Sequence, residues 1–318
     1  MSADRVSAVP QVDIREVGPR DGLQIEEPIS TAAKLEFIDA LVATGVRRIE
    51  VTSFVSPRAI PSLADAEAVA AELGRWPGVE FSALVAGMGG VSRALTAGVR
   101  RLEYVVSASD GHSRANVGRS MEESIALIAP IAERVHEVGG HLEVIVAIAF
   151  DCPFDGPTPP ERVADIARRA MDSGADTLAV ADTIGTATPG RTTDVLTRVI
   201  AATGVKPGLH LHNTRGQGLA NAWAAYSLGI RQFDASVGGL GGCPFAPGAS
   251  GNIATEELAY MFEDSGITTG IDIGRALDAA RLVSDRLGKQ LTSNLLAAGG
   301  VPVPSGSSAS NTGATSGS

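Results

Sequence analysis

Aromatic rings are scarce in this sequence. Phe, Trp and Tyr make up 4% of its 318 residues, whereas hydrophobic residues together reach 44%. The core therefore has to be built from Val, Ile, Leu and Ala, a composition suited to parallel strands covered by helices on both sides. Cysteine is nearly absent as well. Cys152 and Cys243 stand far apart and form no Cys-x-x-Cys pair, which argues against a disulfide framework and makes a reducing compartment the default. Basic excess is missing: the formal net charge is −10, so no basic stripe offers itself to a nucleic-acid backbone. No stretch approaches a membrane span, and the opening MSADRVSAVPQ lacks the apolar segment of a secretory signal. The expectation from these absences is a cytoplasmic protein with no nucleic-acid or membrane partner. A chain of this length buries roughly 75% of its unfolded surface and needs neither disulfide nor metal merely to fold.

What the chain does have is one repeated theme: a short apolar run, a polar or glycine-containing loop, then an amphipathic helix. Strands are expected at 12–17, 48–52, 79–84, 102–106, 142–148, 177–181, 208–212 and 232–237, with helices between them such as 31–43, 122–137, 160–172 and 192–202. Eight strand–helix units imply a parallel sheet closed into a (β/α)8 TIM barrel, here with an extra C-terminal helix at 273–287. Ser120 with Glu123 has the pattern of a capping box. Ser30 and Thr158 stand where helices begin, and Gly45, Gly139 and Gly174 stand where helices should stop. Residues 1–10 read as a flexible lead, 11–300 as the barrel, and 301–318, rich in Ser and Gly, as a disordered tail.

In such a barrel the functional groups gather at the C-terminal ends of the strands and in the loops that follow them. By that rule Glu16 and the Arg20-Asp21 pair, Glu50, Asp182, His210 and His212, and the stretch from Gly238 through Cys243 to Asn252 and Glu256 all converge on one rim. His210 and His212 are two apart on a strand, so both imidazoles face the same way. With Asp21 and Asn252 they make a mixed nitrogen and oxygen donor set that suits Mg²⁺ or Mn²⁺ and admits Zn²⁺. The alternative is a pair of hydrogen-bonded core histidines. Arg20, beside a metal-bound oxygen, could stabilise an enolate as it forms, or it could simply brace the first loop by a salt bridge. Glu16, Glu50 and Asp182 are expected to hold Arg20 and its surroundings in place. Glycines 238, 239, 241 and 242 allow close approach to a ligand or movement as a lid. Cys243 at the tip of that loop is either a reactive thiol or a small buried filler. His136 and His141 read as structural or solvated. His112, with Arg114 and Asn116 in the loop after the fourth strand, either contacts a ligand or caps the loop.

Five segments together resemble the 3-hydroxy-3-methylglutaryl-CoA lyase family of metal-dependent TIM-barrel lyases: EVGPRDGLQ (16–24), IEVTSFVSP (49–57), ADTIGTATPG (181–190), HLHNTRGQGLAN (210–221) and GGLGGCPFAPGASGNIATEEL (238–258). The resemblance runs from about residue 12 to 297 and implies cleavage of a 3-hydroxyacyl-CoA, in a homodimer. It implies that Asp21, His210, His212 and Asn252 bind the divalent cation, that Arg20 steadies the enolate, and that Cys243 closes over substrate. Glu50, Asp182 and Glu256 would support catalysis, and His210 is the favoured acid/base because an imidazole titrates near neutrality. Asn213 and Arg215 depart from the family pattern, in which an acid and a tyrosine often follow the second histidine. That departure leaves open whether the acyl group is 3-hydroxy-3-methylglutaryl or a relative such as citramalyl. A condensing synthase of the same superfamily and a non-catalytic acyl-CoA-binding barrel are the remaining alternatives.

Overall fold

Strand register decides which side chains meet inside this protein. The computed structural model describes residues 11–242 and 251–299. Eight parallel strands close on themselves: β1 (Asp13–Glu16), β2 (Arg48–Phe54), β3 (Glu80–Val85), β4 (Arg101–Ser107), β5 (His141–Ala147), β6 (Thr177–Asp182), β7 (Gly208–Leu211) and β8 (Gln232–Ala235), with β8 pairing back onto β1. Helices cover the outside, and a long helix, Ile273–Leu287, follows the eighth unit. The chain is a (β/α)8 TIM barrel. The expected strands all form, with ends shifted by a few residues.

The helix expected at 122–137 is instead two, Met121–Ala126 and Ile128–His136. Pro130 has no N–H, and its ring would collide with the carbonyl of Ala126 in a continuous helix, so the chain breaks at Leu127. The helix expected from 192 begins earlier, at Pro189, where proline's fixed φ and missing donor suit a first turn. Ser30 and Ser120 cap as expected, the latter in a complete capping box with Glu123. Thr158 does not cap. Its hydroxyl donates to the Ile148 carbonyl, and Pro159 precedes the helix Pro160–Asp172. His112 sits in a short helix, Asp110–Val117, and not in a loop. A two-stranded hairpin, Asp151–Cys152 with Gly156–Pro157, and a last short helix, Asn294–Ala298, were not anticipated. Among the described residues no helix is long and apolar enough to cross a membrane.

Outward-facing strand residues such as Ile14, Ile49 and Leu209 join the helices in the apolar core. The interior differs. Arg15, Asp234 and His210 are register neighbours on β1, β8 and β7, and Glu103 and Glu143 are neighbours on β4 and β5 across the barrel. Arg15 makes a two-pronged contact with Asp234 (Nε–Oδ1 2.8 Å, Nη2–Oδ2 2.9 Å), reaches Glu103 Oε1 at 2.7 Å and also pairs with Glu143. All four are buried. Two residues beyond Glu103 and Glu143 on the same strands, Val105 and Ile145 form a small apolar cluster with Ala179 and Ala181. Burial tends to drive the acids up. At Asp234 the Arg15 guanidinium overrides it and holds the carboxyl well below its usual range, while Glu143 is left raised by burial despite Arg15.

Removing Arg15 should strand three buried acids. Arg15→Met is expected to lower unfolding free energy by about 3–5 kcal/mol, the scale for breaking a buried ion pair from one side. Urea denaturation followed by circular dichroism would read this, and a loss below about 1 kcal/mol, the range of an exposed pair, would contradict it.

Candidate active site

The first loop is built to present one arginine and one aspartate. After β1 the chain winds into a π-helical turn, Gly18–Gly22, closed by Gly22 N–H to Val17 O (3.1 Å) and Leu23 N–H to Gly18 O (2.9 Å). Pro19 is tolerated at its start, where no donor is needed, and single π-turns recur at functional sites. The wide turn leaves Arg20 and Asp21 adjacent and both turned to the barrel mouth. Arg20 Nε donates to Glu50 Oε1 at 2.5 Å and Nη1 to Asp21 Oδ1 at 2.7 Å, with a longer contact to Gln24 Oε1 at 3.4 Å. Glu50 lies at a register irregularity in β2, between Glu50 and Thr52, that locally re-aims the strand. Burial raises the Glu50 carboxyl against the pull of Arg20. Burial would raise Asp21 too, but Arg20 and the two histidines hold it far below the ordinary carboxylate range.

His210 is the penultimate residue of β7 and lies beside Asp21, and His212 lies two residues on, past the end of the strand. Their rings are 5.2 Å apart, and His210 Nε2 and His212 Nε2 lie 3.9 Å and 3.7 Å from Asp21 Oδ2. One donor atom from each of Asp21, His210 and His212 falls within 4.8 Å of the others. Asn252 reaches the same place by pairing its backbone with His212, and its Nδ2 donates to Asp21 Oδ2 (2.8 Å) and to the Leu240 carbonyl (3.0 Å). The donor set fits a divalent cation on a separate ground: Asn252 Oδ1, an oxygen of the kind hard cations take, is buried with no hydrogen-bond partner among the described residues, as is His212 Nδ1. Gly241 closes the cluster from above. Its φ is +124°, and a Cβ there would lie 2.7 Å from Asn252 Nδ2.

Other anticipated residues act at one remove. Glu16 does not hold Arg20. Its Oε1 accepts from Gly18 N–H (2.8 Å) and Val237 N–H (3.2 Å), and its Oε2 accepts from the Thr255 hydroxyl (2.6 Å). Glu256 accepts the Gly238 N–H with both oxygens (3.1 and 3.0 Å), at a glycine whose φ is +68°. These two carboxyls pin the base of the glycine-rich loop. Asp182 likewise does not reach Arg20 and instead takes the N–H groups of Thr186 and Ala187 (2.9 and 3.0 Å), shaping the loop after β6. Asn213 accepts from Gly218 N–H, and Arg215 donates to the carbonyls of Ile184 and Gly185. His112 Nδ1 meets the Ser107 hydroxyl at 3.1 Å, and burial lowers this imidazole to about 4. His136 pairs with Asp176, and His141 meets the Thr177 hydroxyl. Cys243 lies outside the described residues. Asp234, unanticipated, stands 3.1 Å from His210 Nδ1. The signal for it was an acid on the inward face of a strand, Gln-Phe-Asp-Ala, whose other face is apolar.

The sequence profile of the HMGL-like family matches residues 11–283. The chain belongs to the HMGL-like family. Among its relatives, the (R)-citramalyl-CoA lyase of Chloroflexus aurantiacus is 42% identical over 292 residues, 88% of this chain and 92% of that protein. The hydroxymethylglutaryl-CoA lyase of Pseudomonas mevalonii is 40% identical over 281 residues, 87% and 93%. The structure of a hydroxymethylglutaryl-CoA lyase from Acinetobacter baumannii, in complex with coenzyme A and 3-methylmalate, superposes with a TM-score of 0.87 at 38% identity, covering 96% of this chain and all of that one. This HMGL-like chain is thus an enzyme, a carbon–carbon lyase of the hydroxymethylglutaryl-CoA lyase type, in a family that uses a divalent cation.

The Glu16 environment makes a pH prediction for this family member. Burial raises its carboxyl from an ordinary value of 4.5 to about 8. The folded state then holds a proton that the unfolded chain has released. Stability from this group is complete below about pH 4.5 and is lost as pH rises through about 8. Glu16→Gln is expected to flatten the fall of melting temperature across that window. Parallel melting curves for both proteins would test it, and identical pH slopes would refute it.

Proposed function

We propose that this lyase cleaves 3-hydroxy-3-methylglutaryl-CoA to acetyl-CoA and acetoacetate with Mg²⁺ or Mn²⁺ as its cation. The observation that carries the reading is the direct bond from Arg20 Nη1 to Asp21 Oδ1, 2.7 Å, which joins a guanidinium to a carboxylate of the Asp21, His210 and His212 donor set. Asp21, His210, His212 and Asn252 hold the cation. When bound, it lowers the pKa of the substrate's tertiary hydroxyl and shares the negative charge of the departing fragment. The hydroxyl proton passes to His210, the oxygen's electron pair closes the ketone carbonyl as the C2–C3 bond breaks, and that bond's pair passes to the acetyl-CoA side as a thioester enolate. Arg20 donates to that enolate oxygen, and Glu50 on its Nε keeps the guanidinium aimed. A proton then returns to the carbon. His210 has only Nε2 to offer the site, because Nδ1 faces Asp234. Either role, cation ligand or proton acceptor, would therefore use that nitrogen. Val105, Ile145, Ala179 and Ala181 offer an apolar wall to the methyl-bearing end of the acyl group.

A second reading, cleavage of citramalyl-CoA to acetyl-CoA and pyruvate, is supported by the Chloroflexus relative. The two substrates differ by one methylene between the carbinol carbon and the free carboxylate, a difference a pocket reads for about 1–3 kcal/mol. Arg215 adds little to this choice, since its guanidinium is engaged with the Ile184 and Gly185 carbonyls.

Activity should vanish in chelator and return with Mg²⁺ or Mn²⁺, and kcat/KM should be higher for the hydroxymethylglutaryl thioester under the same metal. Faster pyruvate formation from citramalyl-CoA would reverse the substrate choice, and activity surviving exhaustive metal removal would sink the mechanism. Arg20→Gln should lower turnover by about 10²–10³-fold while leaving Mn²⁺ binding near that of the parent. An equal loss of Mn²⁺ would show that Arg20 only braces Asp21.

A further inference from the structure

We infer that Asp234, clamped by Arg15, is a positioning residue that keeps the His210 proton on Nδ1 and so turns the Nε2 lone pair toward Asp21. The inference rests on the reading of His210 as a group of the active centre, and it adds two residues that the motifs around the rim do not contain. Asp234 Oδ1 accepts from Arg15 Nε, and Oδ2 accepts from Arg15 Nη2. A carboxylate receiving two guanidinium bonds is fixed in plane and acts only as an acceptor. The third group on it, His210 Nδ1 at 3.1 Å from Oδ2, must then be the donor. With Nδ1 protonated, a neutral imidazole carries its lone pair on Nε2, the nitrogen 3.9 Å from Asp21 Oδ2.

The register makes this arrangement stiff. Arg15, Asp234 and His210 sit side by side on three hydrogen-bonded strands, and Arg15 is itself anchored across the barrel by Glu103 and Glu143. Asp234 is 5% exposed, so water does not compete for Nδ1. His212 makes the contrast: its Nδ1 is buried and has no hydrogen-bond partner among the described residues, where only His210 has such an orienting contact. Outer partners of this kind change a histidine's metal affinity by about 10–100-fold when lost.

The test reads the imidazole directly, in the metal-free full-length protein. Long-range ¹H–¹⁵N spectra of histidine-labelled protein resolve the five rings, with His210 assigned against His210→Gln. The expected result is a His210 protonated on Nδ1 in the parent, moved to Nε2 in Asp234→Asn, together with a Mn²⁺ affinity lowered about 10–100-fold in calorimetry. Glu143→Gln touches Arg15 but not His210 and serves as the control: it should lose stability and keep the parent's tautomer. Should Asp234→Asn fail to fold, the parent spectrum still decides. A parent His210 protonated on Nε2 overturns the inference. So does an unchanged tautomer and Mn²⁺ affinity in a folded Asp234→Asn. None of these readouts involves acyl-CoA, so a wrong substrate would leave them untouched.

Discussion

A guanidinium inside a barrel is costly unless every neighbouring atom answers it, and Arg15 is the point on which this interior turns. Three acids from three other strands converge on it. Taking such charges from water costs several kcal/mol per ion, and mutual attraction in a low dielectric offsets this only where geometry is good and remaining lone pairs are satisfied. The two-pronged contact with Asp234 meets that condition. The distant pair does so less fully, since Glu103 Oε2 is buried without a partner among the described residues and Glu143 is raised by burial. An apolar layer would have served stability as well or better. What the charged layer adds is direction: it fixes one carboxylate beneath one histidine.

The rim follows a second economy of form, in which carboxyl groups hold backbone rather than substrate. Glu16 grips Gly18 and Val237, Glu256 grips Gly238, and Asp182 grips Thr186 and Ala187. Each acid stabilises a turn that has no ladder partners of its own, as buried N–H groups require. Together they bring the loops after β1, β6 and β8 to one place. Only there do Asp21 and Asn252, 231 residues apart in the chain, come within 2.8 Å.

Much of this was legible before any coordinates. Eight short apolar runs between helices define the barrel, because strand and helix periods differ and glycine and proline punctuate them. Arg20, Asp21, His210, His212 and Asn252 do meet, since their motifs end strands that all open on one face. The misreadings have local causes. The break at Leu127 hides inside an unbroken apolar period, and only Pro130 marks it. Glu16 and Asp182 looked like partners for Arg20 because strand ends tell which rim a side chain serves, not which atom it meets. The Arg15 cluster went unread for a deeper reason. Its partners lie 88, 128 and 219 residues away, and a charge in a short strand such as Asp-Ile-Arg-Glu carries no mark of what will face it.

The interior changes character along its strands. Arg15 on β1 meets Asp234 on β8 and Glu103 and Glu143 on β4 and β5, and two residues further along those last two strands Val105 and Ile145 join Ala179 and Ala181 of β6 in an apolar cluster. Under the proposed reaction, a substrate entering this mouth would meet a polar face that reads hydroxyl and thioester oxygens and an apolar face that reads shape. Alanine at 179 and 181 keeps that second face shallow, and its side chains are too small to gain much from a single added methylene. Discrimination between acyl groups that differ only there has to come from the polar side, through where the free carboxylate falls relative to Arg20 and the donors around Asp21. On the proposed reading, the residues that define the reaction type would also be the ones that choose the substrate.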